Sequence, residues 1–288
     1  MLRLRLRLRG RQMSRTAFFN NHHSTINHST ISNQPMRIID LSCPIDTDVQ
    51  DPLPLSVVFS SHEEGAAVIG PQLFGVPSSA FPDGLALAGE TLTLNSHAGT
   101  HIDAPWHYGP TSEGKPARTI DQLPLEWFYG DAVVLDFTDK PAGYEFSAAD
   151  VQQKLTAINY KLKPFDIVLV RCDADKKMYE PEFAKIHVGA SVEATRWLID
   201  QGIKVMGTDG WGWDTPLHVQ SADYHRNPRP GVVWAAHFVG REREYCQIEK
   251  LANLDQLPPF GFKISVFPIK IKGGSGGWTR AVAFVNEE

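Results

Sequence analysis

Apolar and β-branched residues gather in short runs at Arg37–Leu41, Thr91–Leu94, Ala132–Phe137, Asp166–Arg171, Lys204–Gly207, Ile264–Lys272 and Ala281–Val285. Each run predicts a β-strand. Two helical stretches fall between them. Ser147, with Asp150 three residues on, forms a capping box that opens a helix over Ala148–Ile158. A second helix runs from about Ser191 to Gln201 and stops at Gly202, the residue type favoured just past a helix end. Strands alternating with helices, with no internal repeat, predict one mixed α/β domain over residues 36–288. Residues 50–90 are rich in Pro, Gly and Ser, and so long a loop reads as a lid or a partner-contacting arm. The run Gly273-Gly274-Ser275-Gly276-Gly277, flanked by strand-like segments, reads as a hairpin loop.

Residues 1–35 carry no such pattern and read as a disordered leader. They hold six arginines, no acid and the mobile histidines His22, His23 and His28. The chain has 28 Lys+Arg against 33 Asp+Glu, so without the leader 22 stand against 33, a net −11. A body that acidic repels phosphate backbones, which argues against nucleic-acid binding. No run of 18 apolar residues occurs, so no membrane-spanning helix is expected. Cys43, Cys172 and Cys246 are widely spaced and form no CxxC pair, which points to structural thiols in a reducing, cytoplasmic compartment. The Arg-rich, Ser-containing leader leaves a mitochondrial transit peptide as the alternative location, although its Leu-Arg alternation would not separate the faces of a helix.

The chemistry concentrates in eleven residues, His97-Ala98-Gly99-Thr100-His101-Ile102-Asp103-Ala104-Pro105-Trp106-His107. Gly99, Thr100, Ile102 and Pro105 disfavour a helix, so the segment is expected to be extended. With period two, His97, His101, Asp103 and His107 then project to one side, while Leu92, Leu94, Ala98, Ile102 and Ala104 project to the other. Two imidazoles and a carboxylate are the donor set that suits Zn²⁺ or Mn²⁺, and three protein ligands leave positions open for water and substrate. Gly99 is expected to let the backbone approach the ion, and Pro105 to end the strand so that His107 turns back over the site.

The string HxGTHxDxPxH from His97 to His107 resembles the signature of the metal-dependent cyclase-family hydrolases, whose members include bacterial kynurenine formamidases and isatin hydrolases. The resemblance continues from Ile38-Ile39-Asp40-Leu41 through Arg118-Thr119-Ile120-Asp121-Gln122, Gly207-Thr208-Asp209-Gly210-Trp211-Gly212-Trp213-Asp214 and Tyr245–Leu251 to Gly277–Val282, and these segments look nearer to the isatin hydrolases. It implies that His97, His101 and Asp103 bind metal, that His107 transfers protons, and that His237 and Glu249 form a later catalytic pair. In formamidases such a pair completes a two-zinc site, whereas isatin hydrolase-like members imply a single manganese. The family fold implied is a compact swivelling β/β/α domain with a mixed sheet, as a homodimer or a dimer of dimers.

Elementary chemistry leads to the same function. Coordination lowers the pKa of water from 15.7 to about 7. A histidine such as His107 can take the second proton and protonate a leaving nitrogen. The expected activity is hydrolysis of an amide or lactam C–N bond, and the resemblance implies a small aromatic substrate, either an isatin-like cyclic amide or an arylformamide of the N-formylkynurenine type. Trp211 and Trp213, after Asp209 at the end of a strand-like run, would wall a cleft for a flat ring, or serve as core or dimer-contact residues. Glu249 begins a short amphipathic run and would otherwise be an exposed helix-start carboxylate. His187, His218 and His225 are isolated and read as surface or core residues.

Two competing readings differ in class. Gly273-x-Ser275-x-Gly277 matches the nucleophile elbow of serine hydrolases, but an elbow needs a following helix and a downstream histidine, and no histidine follows His237. A non-catalytic metal-dependent binding protein would use the same three ligands but has no need of His107.

Overall fold

The computed structural model describes residues 35–286. The leader expected over residues 1–35, with its three histidines, lies outside that range up to residue 34. The described chain is a mixed α/β structure built on one nine-stranded sheet.

Four parallel strands form its centre, in the order Tyr129–Asp136, Ile167–Arg171, Val205–Thr208 and Cys246–Glu249. Beyond Tyr129–Asp136 lie Phe262–Ser265, Val282–Asn286 and Met36–Asp40, all antiparallel. Beyond Cys246–Glu249 lie His101–Asp103 and then Gly276–Trp278, also antiparallel. The central strands are apolar on both sides because both sides are covered. Ala132, Val134, Ile167, Leu169 and Val205 pack into one core with Ile102, Ile248 and Trp127. Their alternates Val133, Leu135, Val168, Val170 and Met206 pack into the other, under the helices Ala148–Ala157 and Val192–Asp200.

Both helices start where side-chain caps predict. Ser147 Oγ accepts from Asp150 N at 3.2 Å while the Asp150 carboxylate accepts from Ser147 N at 2.8 Å. Ser191 Oγ accepts from Ala194 N, and Gly202 follows the second helix with φ +88°. Neither these helices nor any other among the described residues is long and apolar enough to cross a membrane.

Several expectations need correction. Thr91–Leu94 lies within a strand, Gly89–Leu94, but this strand pairs only with Leu55–Ser60 in a separate two-stranded antiparallel sheet, and Leu92 is exposed. The predicted Ile264–Lys272 strand stops at Ser265, just before Pro268 removes a ladder donor. The glycine run is not only a loop: Gly276–Trp278 is an edge strand against His101–Asp103. The segment at 50–90 is not structureless either. It holds the strand Leu55–Ser60 and the helix His62–Ile69, started by a Ser61/Glu64 capping box.

Candidate metal centre and its pocket

The eleven-residue segment is not one extended strand. It is a turn, a three-residue strand, and a single helical turn, Pro105–Tyr108. Two residues enforce this. Gly99 has φ +62°, a left-handed conformation in which a period-two alternation cannot continue. Pro105 sits at the first helical position, where its missing N–H costs nothing. The break at Gly99 brings His97 back over the strand, and the turn at Pro105 does the same for His107. The four side chains meet, although by a different route from simple alternation. His97 Nδ1 lies 2.6 Å from Asp103 Oδ1, His101 Nε2 3.1 Å from the same oxygen, and His107 Nε2 3.9 Å from Asp103 Oδ2.

The sheet register adds Glu249. Antiparallel pairing aligns Glu249 with His101 and Gln247 with Asp103, so Glu249 ends a buried strand rather than starting an exposed helix. Its Oε2 lies 3.7 Å from His101 Nε2. His237 opens the short helical segment His237–Arg241, and its Nε2 lies 3.3 Å from Glu249 Oε1 and 3.7 Å from Asp103 Oδ2. All six predicted site residues therefore gather around Asp103.

Supporting contacts set how these groups face one another. Nδ1 of His101 is paired with the Gly99 carbonyl at 2.9 Å, which turns Nε2 inward. This is the use the structure makes of Gly99. A Cβ there would meet only Ile45, so the left-handed φ, rather than room for an ion, requires glycine. His97 Nε2 is paired with Ser275 Oγ at 2.9 Å, and a Cβ on Gly276 would come within 2.7 Å of His97 Cε1. The Asp214 carboxylate accepts from Ala236 N at 2.8 Å and is paired with His237 Nδ1. Neither Ser275 nor Asp214 is marked as a site residue by the sequence: Ser275 sits in a glycine-rich run whose pattern reads as a loop or an elbow, and Asp214 carries no signal beyond the resemblance.

Asp103 is buried, and burial works against its charge, yet His107, His97 and His101 around it hold the carboxyl well below the usual range. Burial likewise disfavours a charged His237, but Asp214 and Glu249 raise its imidazole well above the ordinary value. His107 is lowered, chiefly by desolvation, although 35% of its side chain is exposed at the pocket mouth.

The residues fit a divalent cation. His101 Nε2 and Asp103 Oδ2 are buried and have no hydrogen-bond partner, a costly arrangement for isolated polar atoms and a natural one for metal ligands. Ligand atoms of His97, Asp103 and His107, and of His101, Asp103 and Glu249, lie within 4.8 Å of one another in each group, with Asp103 common to both. Four of the six site residues, His97, His107, His237 and Glu249, line a cavity of about 310 Å³ whose walls include Leu53, Trp211, Leu217, Trp234 and Phe238. Trp211 lines this cavity, but Trp213 is core: it packs edge-on to Phe146 and donates to Thr195. Asp209 is not at the cleft. It is fully buried, accepting from the amides of Cys172 and Asp173. His187 is a buried cavity-wall residue.

The Cyclase family model matches residues 39–215, more than half of the chain. An isatin hydrolase from Roseibium aggregatum is 26% identical over 212 residues, covering 70% of this chain and 77% of that protein. A kynurenine formamidase from Erythrobacter litoralis is 25% identical over 191 residues, covering 66% and 74%. Among solved structures, isatin hydrolase A from Ralstonia solanacearum superposes with a TM-score of 0.68 at 24% identity, covering 87% of this chain and 92% of that one, which shows a common fold.

Proposed function

The chain belongs to the Cyclase family, and on that footing we propose that it is a metal-dependent hydrolase that cleaves the amide or lactam C–N bond of a small aromatic substrate. The observation that carries this reading is the convergence of His97, His101, Asp103 and His107, with His101 Nε2 and Asp103 Oδ2 buried and unpartnered, at one end of an aromatic-walled cavity. His97, His101 and Asp103 would hold the cation, manganese in this proposal with zinc as the alternative. When bound, a divalent ion lowers the pKa of a water molecule and polarises a carbonyl oxygen.

The chain's own residues supply the rest. His107, at the cavity mouth, takes a proton and returns it to the departing nitrogen, since imidazole exchanges protons near neutral pH. Asp214 holds Nδ1 of His237, which leaves Nε2 directed at Glu249 and the reaction space. Trp211, Trp234 and Phe238 exclude water and flank a flat ring. The relatives named for isatin and for kynurenine formamide support a cyclic aryl amide as substrate, with an arylformamide as the second candidate. The segment between residues 50 and 94 exposes Phe59, Leu73 and Leu87, which supports a homodimer or dimer of dimers that covers them; sedimentation would return a monomer if this is wrong.

The test pairs metal analysis with turnover of isatin and aryl formamides. Exhaustive chelation should abolish hydrolysis and manganese should restore it, and full turnover without metal would overturn the assignment. His107→Ala should keep its metal and lose about 10²–10⁴-fold in rate, the usual size of acid–base assistance.

A further inference from the structure

Lys250 is the one Lys or Arg among the described residues that line the cavity. It is almost wholly buried and has φ +59°, a left-handed conformation that a lysine adopts at a cost, so its presence beside Glu249 calls for a reason. Its ammonium is not free. Lys250 Nζ donates to Asp51 Oδ2 at 2.6 Å and to the His97 carbonyl at 2.8 Å, and it lies 5.1 Å from the centre of the Trp211 ring. Asp51 comes from the segment leading into the 55–60 strand. Its other oxygen, Oδ1, accepts from Trp211 Nε1 at 3.1 Å and from Leu53 N at 3.0 Å. The pair is buried on both sides, with 2% and 5% of the side chains exposed, so the two charges cancel where water cannot screen them.

We propose that Lys250 and Asp51 form a charge filter in the cavity wall: Asp51 occupies the one ammonium that could receive a substrate carboxylate, so that the pocket selects uncharged aromatic amides over their carboxylate-bearing analogues. Lys250 is thereby a specificity-determining residue, and this rests on the hydrolase reading above. A ring carboxylate entering the cavity would find the charge of His237 already taken up by Asp214 and Glu249, and that of Lys250 by Asp51, whereas a neutral ring meets the indole of Trp211 and the apolar wall. Releasing Lys250 from Asp51 would supply the missing partner.

The test uses the full-length, manganese-loaded protein and two compounds that differ by one group, formanilide and N-formylanthranilate. Equilibrium binding is read from tryptophan fluorescence and hydrolysis from released formate. Asp51→Asn keeps an oxygen for Trp211 and Leu53 but loses the acceptor for Lys250; Asp51→Ser removes the carboxylate without adding an amide. Either variant, once circular dichroism shows that it is folded, should bind N-formylanthranilate about tenfold more tightly than the native protein does, the worth of one charge-assisted contact, while formanilide changes by less than about twofold. Adding Lys250→Met to either should erase the gain. An unchanged affinity ratio in both single variants, or a gain that survives the loss of Lys250, would overturn the filter. Absence of formate from both compounds while the affinity ratio shifts as expected would count against the hydrolase reading alone.

Discussion

Replacing His187 with glutamine should flatten the acid limb of the stability curve. His187 is fully enclosed; its Nε2 is paired with the Asp214 carbonyl at 3.2 Å and its Nδ1 has no partner. Desolvation lowers its pKa from 6.5 to about 4, even though Glu249 and Asp214 pull the other way. Between those two values the unfolded chain takes up a proton that the folded chain refuses. This residue's contribution is therefore complete above pH 6.5 and is lost as the pH falls toward 4. The same two values give a native-state loss of about 2.5 kcal/mol on going from about pH 7.5 to about pH 4.5. Glutamine can keep a donor toward the Asp214 carbonyl and cannot titrate. Urea unfolding of both proteins at the two pH values is the measurement, and any loss of metal at acid pH enters both curves alike. Parallel pH dependence in the two proteins would show that the buried imidazole protonates freely, and the desolvation argument would fail.

Asp214→Asn should lower kcat by about 10–100-fold with metal content retained, because a neutral amide no longer holds the charged imidazole of His237 in place against Glu249; atomic absorption with a rate assay checks both halves. Gly189→Ala should cost about 1–3 kcal/mol or more, seen as a drop in Tm, since its Cβ would stand 2.0 Å from the Thr215 backbone nitrogen, which cannot move aside like a side chain. Cys43, whose thiol burial pushes up to about 12, should resist thiol reagents in the native protein at pH 8 and react only on unfolding, as a time course with and without denaturant would reveal.

What the sequence discloses and what it hides divide along a physical line. The central strands and both capped helices are readable because their causes are local. Val168 and Val170 need covering on one side and Ile167 and Leu169 on the other, and Ser147 and Ser191 cap within three residues of themselves. The edge strand Gly276–Trp278 has no such local cause. Its composition is that of a loop, and only pairing with His101–Asp103, more than 170 positions away in sequence, makes it a strand.

The metal centre shows the same division inside a single motif. Identity and spacing name His97, His101, Asp103 and His107, because four potential ligands within eleven residues are a local fact. Their directions are not local. Parity along an extended chain assumes unbroken β geometry, and the positive φ of Gly99 ends that assumption after His97. The prediction of convergence survives because a tight turn and a single helical turn fold the ends of the segment back over its three-residue strand, an outcome that alternation alone does not imply. The groups that then fix ring orientation, Ser275 on His97 and Asp214 on His237, lie 178 and 23 residues from the rings they hold. A histidine's neighbours in sequence thus determine whether it can reach an ion, while its neighbours in the fold determine which nitrogen it presents. The substitutions that bear most directly on chemistry here are accordingly those at Asp214 and Ser275: each leaves the ligand set intact and acts on the ring it holds, Ser275 on the orientation of His97 and Asp214 on both the orientation and the charge of His237.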